Sequence, residues 1–332
     1  IFSEFKKVFK KNYNKELMLI LILVLMLVFV NIWCSDFHDD LNHYHYSYIL
    51  NTDKSKYIFG YNFFHNHYGF SSIWLILQSY LNFDYSRLQD IHLINGLILF
   101  LFLSIFICNF EKTIIQKKFT VLDIIFFSIL LFVILKYTKL KEFGIDKPAT
   151  LIFFYIIFLS LKNEIFDKQL SNVNLFIILL LSFFITYVKI VYVPILIFPI
   201  YNLLKFQNYK FLFSKFFGIL IFFNVLYLLK NFVISGCLIY PIEQLCYAGL
   251  DWTDVKKIRE LIIGIEIFNK SFSNYEGNLS GAEFIKNLNW IKTWILRNYE
   301  ELLNISLLIF LCFSILILIL MIKHIKSKKN II

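Results

Sequence analysis

The chain has 332 residues, of which 59% are hydrophobic and 17% charged, and a formal net charge of +10. The charged fraction lies below the ~25% usual for soluble domains. Apolar residues come in long blocks between short lysine-rich stretches, which excludes a soluble all-helical core and points to a bilayer as solvent, where each crossing needs about 20 apolar residues. The basic excess fits cytoplasmic loops of a membrane protein; no arginine-rich stripe or RNA-binding motif supports nucleic-acid binding.

Residues 1–16 carry Lys6, Lys7, Lys10, Lys11 and Lys15 ahead of the first apolar run. That run exceeds the ~7–15 residue core of a signal peptide, and no small-x-small cleavage site follows it, so it reads as an uncleaved first span. Residue 1 is Ile, which leaves truncation as an expectation. The fold class is an all-α polytopic transmembrane protein, a single transmembrane domain of about eight spans. They are expected at 17–34, 91–109, 119–135, 148–161, 171–188, 190–204, 211–229 and 302–322. Between Lys168 and Lys205 the only charge is Lys189, and the stretch is too long for one helix, so two helices with a tight turn near Lys189 are expected.

The topology turns on Gly69–Leu81, an apolar segment short for a span and containing Ser71, Ser72, Gln78 and Ser79. Read as an interfacial helix, it leaves the N-terminus, Glu111–Lys118, Lys205–Lys210 and the tail Lys323–Lys329 together on the cytoplasmic side, as the positive-inside tendency requires. Only the 136–147 loop, with four lysines, departs from it. Three loops, 35–90, 136–147 and 230–301, then face the extracytoplasmic side of a bacterial inner membrane, with both termini cytoplasmic. Two of them are long enough to hold short helices and function. No internal repeat of a transporter kind is visible, and most spans lack charges at their centres.

The first loop opens with Asp36, Asp39 and Asp40, beside the membrane face. A carboxylate near low-dielectric lipid can serve as a general base, and adjacent acids can instead hold a divalent cation with a sugar phosphate; a solvated turn after a span is the plain alternative. Five of the seven histidines, His38, His43, His45, His65 and His67, lie in the same loop. His43/His45 and His65/His67 are spaced i, i+2, which would place each pair on one face of a strand but apart on a helix, so interfacial hydrogen bonding is the simpler reading over a zinc site. In the third loop Ser235-Gly236 and Tyr240-Pro241 are turn chemistry just outside a span. Cys237 and Cys246 share that loop, but nothing in their spacing demands a disulfide. Trp290, Trp294, Arg297 and Tyr299 form an aromatic and cationic belt before the last span.

An acidic residue just past the first span, followed by an aromatic/His pair, resembles the GT-C superfamily of membrane glycosyltransferases, which includes protein mannosyltransferases and aminoarabinose transferases. The closest likeness is to an uncharacterised bacterial membrane protein group within or near it. The likeness rests on Asp40, Tyr44 and His45; on Gly60, Asn62 and His65; and on Ser235, Gly236, Tyr240, Pro241, Asp251 and Trp252. Asp146 and Pro148 stand where that superfamily often has a second acidic residue before a span. The resemblance implies transfer of a sugar from a polyprenyl-phosphate donor to an extracytoplasmic acceptor. It makes Asp40, Asp39 and Asp146 catalytic candidates, and His45, Lys189, Lys230 and Arg297 candidates for the donor phosphate. Tyr44, Asn62, His65, Tyr240 and Trp252 are further motif positions. No cofactor is required on this reading, although a divalent cation is compatible with it. The expected partners are the bilayer and the lipid-linked donor. A polysaccharide polymerase, a flippase or a transporter is the alternative. The chain departs from the superfamily in having Asp39-Asp40 where Asp-Glu is common, in lacking a His-Pro-Pro motif, and in having fewer spans.

Overall fold

The computed structural model describes residues 15–34, 41–55, 58–81, 93–116, 121–136, 144–162, 169–286, 288, 290–304 and 306–307. Asp39, Asp40 and most of the expected last span lie outside them. The described residues are helical with intervening turns, and the one β-bridge among them joins Cys237 to Cys246. In chain order the α-helices are α1 (Lys15–Cys34), α2 (Tyr46–Ser55), α3 (Ile73–Tyr80), α4 (Leu93–Gln116), α5 (Val121–Lys136), α6 (Asp146–Lys162), α7 (Asn172–Val188), α8 (Ile197–Lys205), α9 (Lys215–Ser235), α10 (Val255–Asn269) and α11 (Gly281–Lys286).

Among the described residues three helices are long and apolar enough to cross a membrane: α1, the Ile94–Glu111 part of α4, and α9. The eight expected spans are thus reduced to three among the described residues, and the reason is length. Helices α5, α6 and α7 have 16, 17 and 17 residues. The 190–204 run is divided between a 3-10 segment containing Pro194 and the nine-residue α8. Helix α3 has eight residues, which reach only about 12 Å and cannot cross the ~30 Å hydrocarbon layer. Helix α1 buries only Val28 and Ile32, while Met18, Leu19, Leu23, Met26, Phe29 and Trp33 stand more than half exposed. Each such side chain left in water forgoes about 1.5–3 kcal/mol of burial; a bilayer removes that cost.

The chain divides into two compact units, one of residues 1–56 and 72–224 and the other of 57–71 and 225–332. In the first unit, α6 is the central helix. Its Ala149, Ile152 and Ile156 pack with Trp74 of α3 and with Leu175, Ile178 and Leu179 of α7. Its Leu151 and Phe158 pack with Val28 and Ile32 of α1, Phe102 and Phe106 of α4, and Val133 of α5. A helix buried on two faces has to be apolar all round, as the 148–161 run is. Phe106, Phe126 and Phe158 close one end, with centroids 4.3–5.6 Å apart.

The second unit includes the end of α9. The Gly60 N–H donates to the Val233 carbonyl at 3.0 Å. Tyr61 and Tyr68 stack at 4.4 Å, and Phe70 meets the Tyr240 ring edge-on at 5.3 Å. Helix α11 begins at a capping box, in which Ser280 N–H donates to Glu283 Oε2 at 2.9 Å and the Glu283 N–H returns to Ser280 Oγ at 3.4 Å. The Ser280 hydroxyl, which donates to Glu283 Oε2 at 2.7 Å, and the Ser280 N–H hold the Glu283 carboxyl below the usual carboxylate range.

Gly60 has φ +64°, and a Cβ placed there would lie 2.3 Å from the Trp252 Cβ. Gly264, inside exposed α10, has open space around it. Gly60→Ala is therefore expected to lower stability by about 2–4 kcal/mol, from left-handed backbone and overpacking. Gly264→Ala should instead raise it by about 0.5–1 kcal/mol. Thermal unfolding of the detergent-solubilised protein checks both; equal effects would mean that the Gly60–Trp252 contact is not formed.

Candidate functional site

Two sets of sequence-selected residues come together, one in each unit. The first lies at one end of the first unit. The start of α4 meets the end of α1, since a Cβ on Gly96 would touch Ile32 and Val28. At the same end Asn95 (1% exposed) accepts the Trp74 indole N–H at 2.8 Å, and its own amide N–H donates to the Gly144 carbonyl at 3.4 Å. Asp146 follows two residues later, in the first turn of α6, where a carboxylate favours the positive end of the helix dipole. Helix α7 runs back toward this end and stops at Lys189, whose backbone is extended.

The Lys189 ammonium lies 2.5 Å from Asp146 Oδ1. Asp146 and Lys189 side chains are 66% and 39% exposed, so the pair is held in place yet open to a ligand. Thr150 Oγ1 donates to the Asp146 carbonyl at 2.8 Å and lies 3.1 Å from the Tyr192 hydroxyl. Ser72 caps α3 by accepting the Trp74 N–H, and its own hydroxyl donates to the Val188 carbonyl at 2.9 Å. Helix α3, the turn at Lys189 and the start of α6 are therefore one hydrogen-bonded assembly. The end of α1 lies at this same end, and the segment that follows it in sequence, with Asp39 and Asp40, is outside the described residues. In the turn that follows that segment, His45 is buried (5% exposed) against Tyr44, with ring centroids 4.3 Å apart.

The second set fills the second unit, and there its members have packing partners. Trp252 packs against Gly60 and meets Phe59 edge-on at 5.8 Å. Asn62 is buried (5% exposed). The Tyr240 hydroxyl donates to the Asn66 carbonyl at 2.8 Å across a ring packed on Gly69, and burial raises the phenol's pKa. His65 Nδ1 accepts the His67 N–H at 3.3 Å. Lys230 donates to the Ser71 carbonyl and sits 4.5 Å over the Tyr227 ring. Arg297 donates to the Phe268 carbonyl at 3.1 Å, at the end of α10, and covers the Phe268 ring at 4.6 Å. Two of the four cations expected at a donor phosphate, Lys230 and Arg297, thus hold backbone carbonyls in the second unit.

Cys237 and Cys246 form a disulfide, which their spacing alone did not call for. It closes the turn that carries Tyr240. Arg259 of α10 reaches the same turn with two hydrogen bonds to Glu243, one of them Nε to Oε2 at 2.9 Å. Sequence reading also missed Asn95, Thr150 and Tyr192. A single polar residue in an apolar run is the only signal any of them leaves. Among the described residues no three His, Cys, Asp or Glu side chains are grouped to hold a metal ion; Asp36, Asp39 and Asp40 lie outside them.

The guanidinium of Arg259 holds the Glu243 carboxyl below its ordinary value of about 4.5. A depressed carboxyl stabilises the fold above the unfolded value, and that contribution is lost as pH falls through the native one. The melting temperature of the wild type should exceed that of Glu243→Gln at neutral pH, and the gap should close below pH 4.5. A gap unchanged by acid would mean that the pair does not clamp the turn.

Neither a curated protein nor a solved structure matches the chain. A family described as "Domain of unknown function (DUF8201)" matches residues 1–332, and the chain belongs to that family.

Proposed function

We propose that this protein is a membrane glycosyltransferase that moves a sugar from a polyprenyl-phosphate donor to an extracytoplasmic acceptor. The observation that carries the reading is the exposed Asp146–Lys189 pair, at the end of the first unit where α1 also ends, just ahead of Asp39 and Asp40 in sequence. A short helix too small to cross the bilayer, α3, is tied to the same end. On this reading α5, α6, α7 and the apolar 190–205 segment cross the bilayer as well, since 16–17 residues sit at the lower limit of a span. The loop after α9 then faces an oxidising, extracytoplasmic compartment, where disulfides such as Cys237–Cys246 persist.

In the proposed reaction Asp40 takes the proton of the acceptor hydroxyl. The hydroxyl oxygen bonds to the anomeric carbon as the bond from that carbon to the phosphate oxygen breaks, with inversion. The electron pair leaves with the phosphate. Lys189, steadied by Asp146, neutralises the charge that develops there. A divalent cation bound through Asp39 and Asp40 is compatible with this scheme but not required by it.

Sugar transfer by the purified protein, reconstituted with polyprenyl-phosphate sugars, tests the proposal. Asp40→Asn should slow transfer by about 10²–10⁴-fold, and Lys189→Ala by about 10²–10³-fold. Stability should barely change in Lys189→Ala, because an exposed pair contributes about 0–1 kcal/mol. Full activity in Asp40→Asn would reject its role. A wild type that moves such lipids across vesicles without transferring sugar would replace this reading with a flippase.

A further inference from the structure

The second unit carries a feature that the transferase scheme does not use. Within residues 59–64, Tyr61 and Asn62 are buried at 4% and 5%, while Phe59, Phe63 and Phe64 are 68%, 57% and 75% exposed. Three large rings directed outward from one short turn need a partner, since exposed apolar clusters of this kind mark interaction surfaces. The turn continues into an open groove of about 370 Å³, lined by Phe63, Phe64, His65, His67, Lys257 and Leu261, with Asn66 between the histidines.

The floor of the groove is polar and basic. Lys257 lies 4.7 Å over the Phe63 ring, and its side chain is 49% exposed. The nearest carboxylate, Asp254, stands 3.6 Å away and is also the cap of α10, where it accepts the Lys257 N–H. Its charge is therefore shared between a helix terminus and the ammonium, and Lys257 keeps attraction for a further anion. The rings of His65 and His67 lie 5.1 Å apart. Because His65 Nδ1 accepts the His67 N–H, neutral His65 carries its proton on Nε2 as a donor.

One backbone bond ties the turn to the end of α9. Gly60 N–H donates to Val233 O, in the last turn of α9, and α9 is one of the three helices able to cross a membrane. A segment pinned to the mouth of a span sits at the level of lipid phosphates. Aromatic rings favour that level, and each basic side chain near an anionic surface adds to attraction there.

We propose that the groove between residues 63–67 and α10 binds the phosphodiester headgroup of an anionic membrane lipid, with Phe63 and Phe64 seated among its upper acyl carbons. Lys257 pairs with the phosphate and the two imidazoles lie beside it. The site rests on the membrane placement given above but not on sugar transfer, so it can fail or hold independently of Asp40.

The test is titration of the full chain in neutral detergent with short-chain phosphatidylglycerol, short-chain phosphatidylcholine and inorganic phosphate, read by calorimetry. Phosphatidylglycerol should bind more tightly than either of the others. Lys257→Ala should weaken it about fivefold, the effect of one basic residue at an anionic surface, and Lys257→Arg should restore it. The double variant Phe63→Ser/Phe64→Ser should lose phosphatidylglycerol affinity while keeping the wild-type melting temperature. Equal binding of both lipids overturns the proposal, as does unchanged affinity in Lys257→Ala. Inorganic phosphate binding as tightly as phosphatidylglycerol overturns it too, because the site would then take free phosphate.

Discussion

The side-chain amide of Asn95 is almost wholly buried and uses both its acceptor and its donor on tertiary partners, Trp74 and the Gly144 carbonyl. In apolar surroundings an amide, an indole N–H or a carbonyl left without a partner is costly, so the three groups are held to one another. The consequence runs outward along the chain. Gly144 leads directly into Asp146, and Trp74 follows Ser72, whose hydroxyl holds the Val188 carbonyl beside Lys189. Asp146 and Lys189 are 43 positions apart in sequence, yet they meet because each is adjacent to a segment fixed on α3. The exposed pair itself adds little to stability. Its position is determined by buried hydrogen bonds beneath it, which is how a reactive group can stay accessible and still be placed.

The second unit is held differently, by close backbone approach. Gly60 and Gly236 both have positive φ, and side chains from the 252–253 corner occupy the space where their Cβ atoms would be. Trp252 covers the first and Thr253 the second, so the turn at Gly60 and the turn after α9 lock against one corner of chain. The disulfide and the Arg259–Glu243 contact close the same region from the other side. What remains outward-facing is the aromatic turn and the basic groove.

Legibility in the sequence followed the reach of the interactions. The break at Lys189 could be read because one charge interrupts an apolar stretch too long for a single helix. The shortness of α3 was visible in its serines, and Ser72 proves to be its cap. The Asp146 helix start could be read from an acid followed by proline. The count of spans could not, since apolarity marks a run without marking where a helix in it frays or, as at Pro194, changes its winding. Long-range partners were hidden altogether. Asn95 is one polar residue in an apolar run, Trp252 stood out only as a motif position, and nothing in the sequence showed the carbonyl partners of Arg297 and Lys230. The disulfide belongs with these, because a loop's path rather than its spacing brings two thiols together.

The proposal centres on one reaction face, shared by Asp146 and the acidic residues that follow α1 in sequence. Cysteines placed at positions 40 and 146, with Cys34 and Cys108 replaced, test it directly in sealed, right-side-out vesicles. The account predicts that both positions react with a membrane-impermeant maleimide from outside and that a short bifunctional maleimide joins them. Labelling from opposite sides, or no cross-link when both are accessible, would contradict it.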